Sequence, residues 1–225
     1  MEPRLIPVRE PKQPSAAVLV LHGGAARQEQ MVVSPTQLSV LRMVATARQV
    51  ARRGEGRLAV YRLLNSFRGW DPSHTPVRDV RWALAQVQQR VGDLDVGLVG
   101  HSLGGRAALL SGDQPRVTSV VALNAWVAPG DDVDLTARGT LFVHGLADRV
   151  ASPARAQELA RRLAATARVS FIAIPDGKHA MLRHGRAFDR YAADYTCHTL
   201  LGGSPNRQVS GPVGRVLAGE DWVTA

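Results

Sequence analysis

Six short apolar runs, each closed by turn residues, recur along the chain: Ala16 to Leu21, Leu58 to Leu64, Asp95 to Val99, Val117 to Leu123, Thr140 to His144 and Val169 to Ile174. Runs of this length without polar alternation predict strands buried on both faces. Stretches with helical spacing lie at about 36–53, 76–91, 103–112, 153–167 and 185–201, so four of the five strand intervals hold a helix. The fifth interval, 125–138, is irregular, with Pro129-Gly130 and three aspartates. Strands alternating with helices of this size imply crossover connections. The expected fold class is α/β, with a mainly parallel sheet of about six strands covered by helices on both faces. Residues 1–15 read as a proline-rich, charged, extended lead-in. Gly202-Gly203-Ser204-Pro205 opens a Gly/Pro-rich tail, 202–225, that contains Trp222 and is either a docked arm or a flexible end. A chain of 225 residues suits a single domain, 1–225, with its core at about 16–201.

Composition adds little to that picture and removes several alternatives. Hydrophobic residues make up 45% and charged residues 21%, as in ordinary globular proteins and unlike disordered chains. The net charge of +9 is almost wholly arginine, because Lys12 and Lys178 are the only lysines among 28 basic residues. These arginines are scattered along alanine-rich helical stretches, as in Arg52-Arg53 and Arg161-Arg162, and form no basic stripe interleaved with aromatics. The expectation is a solvated surface and no specific nucleic-acid partner. Cys197 is the single cysteine, so neither an internal disulfide nor a cysteine zinc site is available. The first twenty residues hold five charged side chains and four prolines, with no apolar stretch long enough for a signal core or a membrane span. A cytoplasmic protein with no membrane partner is expected. Phosphate-binding glycine loops and zinc-helix histidine pairs are missing, so the sequence implies no cofactor and no metal.

The candidate chemistry begins at Gly100-His101-Ser102-Leu103-Gly104. Gly-x-Ser-x-Gly is cheap as a string and informative only in context. Here a strand candidate, Val96 to Val99, precedes it and a helix candidate, Leu103 to Leu110, follows, so Ser102 falls at a sharp strand-to-helix turn. Such a turn strains the serine backbone, and the flanking glycines leave room for neighbouring elements. It also sets the hydroxyl at a helix N-terminus, where the Leu103 N–H is an oxyanion donor. A serine hydroxyl needs a base, and the base needs an acid to hold its tautomer. Chain order offers both: Asp148 in His144-Gly145-Leu146-Ala147-Asp148 and His179 in Asp176-Gly177-Lys178-His179 follow successive strand ends. Asp176, Asp131 and Asp134 compete with Asp148, and His184 competes with His179.

These pieces, together with His22-Gly23-Gly24 after the first run and Val150 after Asp148, resemble the α/β-hydrolase family over about residues 16–200. The resemblance is to its compact, dienelactone-hydrolase-like esterases. It implies an α/β-hydrolase fold in which Ser102 is the nucleophile, His179 the general base and Asp148 the orienting acid. It also implies an oxyanion hole of the Leu103 and Gly24 N–H groups, with Ala25 as the fallback second donor. Two departures limit it. Ala25-Ala26 follows Gly24, so a three-glycine run is absent. Dienelactone hydrolases proper carry cysteine at the position of Ser102, so their lactone substrate does not carry over.

The expected reaction is hydrolysis of a carboxylic ester or thioester of a small molecule through an acyl-enzyme. A catalytically idle binding module, and an acyltransferase or peptidase using the same three residues, are the alternatives. The short 125–138 segment leaves no room for a large cap, so the site should be open. Trp70, Trp126 and Met181, near predicted loop ends, are candidates to wall an acyl pocket, against their plainer use as core. His22, His101 and His144 are expected to make structural hydrogen bonds, and His184 to be solvated or capping.

Overall fold

The computed structural model describes residues 2–24, 31–202 and 209–225. Its elements in chain order are β1 (Arg4–Arg9), β2 (Ala16–Leu21), α1 (Leu38–Arg53), β3 (Leu58–Leu64), α2 (Thr75–Val91), β4 (Val96–His101) and α3 (Leu103–Leu110). There follow β5 (Val117–Leu123), β6 (Gly139–Gly145), α4 (Pro153–Leu163), β7 (Val169–Ile174), α5 (Gly185–Leu201), α6 (Gly211–Leu217) and β8 (Trp222–Thr224). One sheet runs in the order β1-β3-β2-β4-β5-β6-β7-β8. Only β1 is antiparallel to its neighbour, β3.

The period of two along each strand sorts its side chains into two cores. In β2, Ala17, Leu19 and Leu21 face a cluster with Val80, Ala83 and Val87 of α2, Ala107 to Leu109 of α3, and Ala156, Leu159, Ala160 and Leu163 of α4. Ala16, Val18 and Val20 face Met43, Ala47 and Val50 of α1, Phe188 and Tyr191 of α5, and Val213 and Val216 of α6. Every residue of β2 and β4 is buried, as a central parallel strand covered on both faces requires. The Ser152 hydroxyl caps α4 by accepting from the Arg155 N–H at 3.3 Å, and Pro153 occupies its first turn. Burying one large apolar side chain contributes roughly 1.5–3 kcal/mol.

The sheet has eight strands where the sequence pattern predicts six. Four prolines conceal β1, yet Pro7 is harmless there because an edge strand need not donate from every residue, and the pairing shifts register between Pro7 and Arg9. In the tail, β8 pairs parallel with β7, and Trp222 stacks on Phe171 with centroids 5.2 Å apart. Arg161 lies 5.1 Å from the centroid of that indole, and Val223 is buried. The tail is therefore a docked arm, of which residues 203–208 lie outside the described part. The predicted strand from Asp95 to Val99 runs on through His101, which carries the chain directly into the serine turn. No helix among the described residues is long and apolar enough to cross a membrane.

Candidate active site

In a parallel sheet the connections leaving the strands' carboxyl ends share one edge. There the turn after β4, the loop after β6 and the loop after β7 converge. Ser102 has φ 58° and ψ −121°, a strained conformation for a residue with a side chain. Three hydrogen bonds hold it: its N–H donates to the Leu123 carbonyl at 2.9 Å, while its own carbonyl accepts from Arg106 N–H and Trp126 N–H, each at 3.1 Å. The turn closes only because it is lined with glycine. A Cβ on Gly100 would lie 2.0 Å from the Gly104 carbonyl oxygen, and one on Gly104 would lie 2.5 Å from that of His22. Leu103 opens α3, and the first N–H groups of a helix have no carbonyl of their own helix to meet.

The hydroxyl Oγ of Ser102 is 3.1 Å from Nε2 of His179, and Nδ1 of His179 is 2.8 Å from Oδ2 of Asp148. The other carboxylate oxygen of Asp148, Oδ1, accepts from Val150 N–H at 2.8 Å and Ala151 N–H at 3.0 Å. Burial favours the neutral acid, but the bonds from the His179 ring and from these two N–H groups outweigh it and hold the carboxyl below its ordinary pKa. The Asp148 side chain has no exposure and that of His179 has 21%, so the acid is sealed while the imidazole meets the open side. Cys197 offers no competing nucleophile, because burial pushes its thiol up to about 12.

The competing residues are engaged elsewhere. Asp176 pairs with His184 at 2.8 Å, Asp134 accepts from Thr136 N–H at 2.8 Å, and Asp131 receives Arg106 through both carboxylate oxygens. His22, His101 and His144 each make one short bond to a backbone carbonyl: Gly23 at 2.6 Å, His179 at 3.0 Å and Ala151 at 3.1 Å. Burial drives His22 down to about 4 and His101 to about 3, and it lowers His144 as well, so all three are neutral imidazoles.

Trp70 and Trp126 are half-buried and meet on the guanidinium of Arg106, one turn along α3 from Ser102, with Arg106 Cζ 4.0 Å and 5.5 Å from their ring centroids. Arg106 and Asp131 thereby fasten the 125–138 segment to α3. Met181 is almost fully buried beneath the loops that carry Asp148 and His179. Its φ of 51° follows a turn in which its N–H donates to the Lys178 carbonyl, and the side chain packs into the α1/α5 core. Its methyl group occupies the space that a Cβ on Gly145 or Gly177 would need, at 2.8 Å and 2.7 Å. Gly24 lies beside the serine turn, with a Cβ position 3.4 Å from Leu103 Cδ1, while Ala25 lies outside the described residues. Sequence reasoning passed over Asn124, a buried residue that bonds to the loops of both Asp148 and His179.

No protein-family model matches the sequence, and no curated protein matches it. Solved structures do. A serine hydrolase without a lid from Xanthomonas campestris superposes with a TM-score of 0.69 at 15% identity, covering 90% of each chain. An α/β serine hydrolase homologue from Coxiella burnetii gives 0.63 at 15%, over 85% of this chain and 90% of that one. The esterase Est1E from Butyrivibrio proteoclasticus gives 0.62 at 13%, over 88% and 93%. The chain has the α/β-hydrolase fold, in a compact form with a minimal cap.

Proposed function

We propose that this protein is a serine hydrolase that cleaves a carboxylic ester or thioester of a small molecule through an acyl-enzyme. The observation that carries the reading is the hydrogen-bonded series from Ser102 Oγ through His179 to Asp148 at the strained turn after β4. In this reaction Nε2 of His179 takes the hydroxyl proton as Oγ attacks the carbonyl carbon. The oxyanion accepts hydrogen bonds from the Leu103 and Gly24 N–H groups. His179 then gives its proton to the leaving alcohol or thiol, the acyl group stays on Ser102, and a water activated by the same imidazole releases the acid. Asp148 stays ionised throughout, as its lowered pKa favours, and stabilises the imidazolium. Trp70 and Trp126 flank the acyl group, and the short 125–138 segment leaves the site open to extended substrates. The names of the lidless hydrolase and of the esterase that share this fold agree with the reading.

The test is turnover of short p-nitrophenyl esters together with covalent labelling of Ser102 by a fluorophosphonate. A folded protein that does neither, while control hydrolases do both, rejects the proposal in favour of an idle binding module. Competing alcohols, amines and peptides in the same assay separate hydrolysis from acyl transfer and peptide cleavage.

Gly24→Ala tests the oxyanion role. The added Cβ would lie 1.8 Å from the Arg68 carbonyl oxygen, so the segment must move and carry its N–H away. The expected loss in kcat is about 10²–10³-fold, the cost of one oxyanion donor, with KM little changed. An unaffected kcat would move the second donor elsewhere.

A further inference from the structure

His179 sits on a loop, yet its ring must be held to within roughly 0.5 Å and 10–20° to serve Ser102. The ring's own bonds go to Ser102 and Asp148, so the main chain beneath it needs separate support. The structure supplies it at one atom. The carbonyl oxygen of His179 accepts two hydrogen bonds, from His101 Nε2 at 3.0 Å and from Asn124 Nδ2 at 2.9 Å. The same Asn124 amide donates to the Lys178 carbonyl at 3.2 Å, and its Oδ1 accepts from Gly145 N–H at 2.9 Å. Gly145 begins the turn that ends at Asp148, whose N–H donates back to the Gly145 carbonyl at 3.1 Å.

Asn124 is fully buried, follows the last residue of β5, and has φ 41°, a left-handed conformation that asparagine tolerates better than most residues. Its own N–H donates to Val143 in β6. One side chain therefore joins the acid-bearing loop to the base-bearing loop, and His101 joins the base-bearing loop to the serine turn.

We propose that Asn124 and His101 are positioning residues, which lock the three loops in register through the His179 carbonyl and the Gly145 N–H. This rests on the serine hydrolase reading. Both donors are neutral, so neither opposes the imidazolium that forms on His179, whose ring centroid is only 5.0 Å from that of His101. Aspartate at position 124 would keep the acceptor toward Gly145 but lose the donors and turn a charge toward two carbonyls.

Asn124→Gly is the decisive variant, since glycine accepts the backbone angle and deletes only the clamp. We expect kcat to fall about 10–100-fold with KM within threefold, and fluorophosphonate labelling to slow by the same factor, as for a displaced catalytic group. His101→Phe should behave alike, and His101→Gln, which restores a donor, should recover most of the loss. A variant that loses thermal stability but keeps kcat within threefold of wild type overturns the proposal. The low-field NMR signal of the His179 Nδ1 proton, assigned by its absence in His179→Gln, reads the same geometry without turnover. It should broaden or move upfield in Asn124→Gly. An unchanged signal overturns the clamp even if the wild-type protein cleaves no ester, an outcome that would sink the hydrolase reading separately.

Discussion

Asp148→Asn should lower kcat/KM for any ester substrate by about 10⁴-fold, while the protein folds normally and Ser102 stays in place. The size follows from how the carboxylate is used. Oδ1 is committed to two donors, the N–H groups of Val150 and Ala151, so an asparagine must keep its carbonyl oxygen there. Its NH₂ then faces Nδ1 of His179, where Oδ2 now sits at 2.8 Å. Two donors cannot share that contact, so the imidazole must move its proton to Nε2, the atom that should accept the proton of Ser102. The base is present but in the wrong tautomer. Fluorophosphonate labelling should slow in parallel, Ser102→Ala should abolish labelling altogether, and His179→Gln should abolish acylation. His184→Gln should leave the rate within about twofold, because that ring faces Asp176. A rate for Asp148→Asn within tenfold of wild type would remove Asp148 from the mechanism.

The candidate site was legible because chemistry and topology repeat the same signal. Ser102, Asp148 and His179 each stand just beyond the end of a short apolar run, and parallel strands bring such ends to one edge. Asp176 was left competing with Asp148 by the sequence, and only the structure separates them, because His184, five residues beyond His179, pairs with Asp176. Met181, two residues after His179, suggested the mouth of the site, whereas a positive φ turns its side chain back under Gly145 and Gly177. The edge strands were hidden because edges tolerate what central strands do not, namely Pro7 in β1 and a three-residue strand closed by Trp222 packing. Asn124 carries no motif. Its one sequence signal is a polar residue ending the apolar run Val117 to Leu123, and its value lies in contacts 21, 54 and 55 residues away.

The second large effect is expected in acid. Each of the three buried histidines is held in a neutral tautomer that a second proton would disrupt. His22 donates from Nδ1 to Gly23 and accepts from Asn65 N–H at Nε2, so protonation would turn two donors on each other. His101 and His144 donate from Nε2, and Nδ1 of each is buried with no partner among the described residues. An unfolded chain protonates these rings below about pH 6.5, whereas the folded one resists until about 4 for His22 and about 3 for His101. Over that window the unfolded state binds more protons, so stability falls as pH falls, by about 1.4 kcal/mol per pH unit for each ring. His22 and His101 acting together over two units reach about 5–6 kcal/mol, within the roughly 5–15 kcal/mol that holds a domain folded, and the lowered His144 adds in the same direction. Asp148, with its lowered pKa, adds to the loss only at still lower pH, as its carboxylate takes up a proton. The urea midpoint should therefore be level above pH 7 and fall steeply between 6.5 and 4.5, with unfolding before pH 4. His22→Gln should flatten the slope by between about one third and one half, whatever its stability at pH 7. A midpoint that holds steady down to pH 4 would mean that these imidazoles take up protons in place. A protonated His101 would keep its Nε2–H bond to the His179 carbonyl but set a positive charge 5.0 Å from the His179 ring, opposing the imidazolium that must form there, so activity should then fail before the fold does.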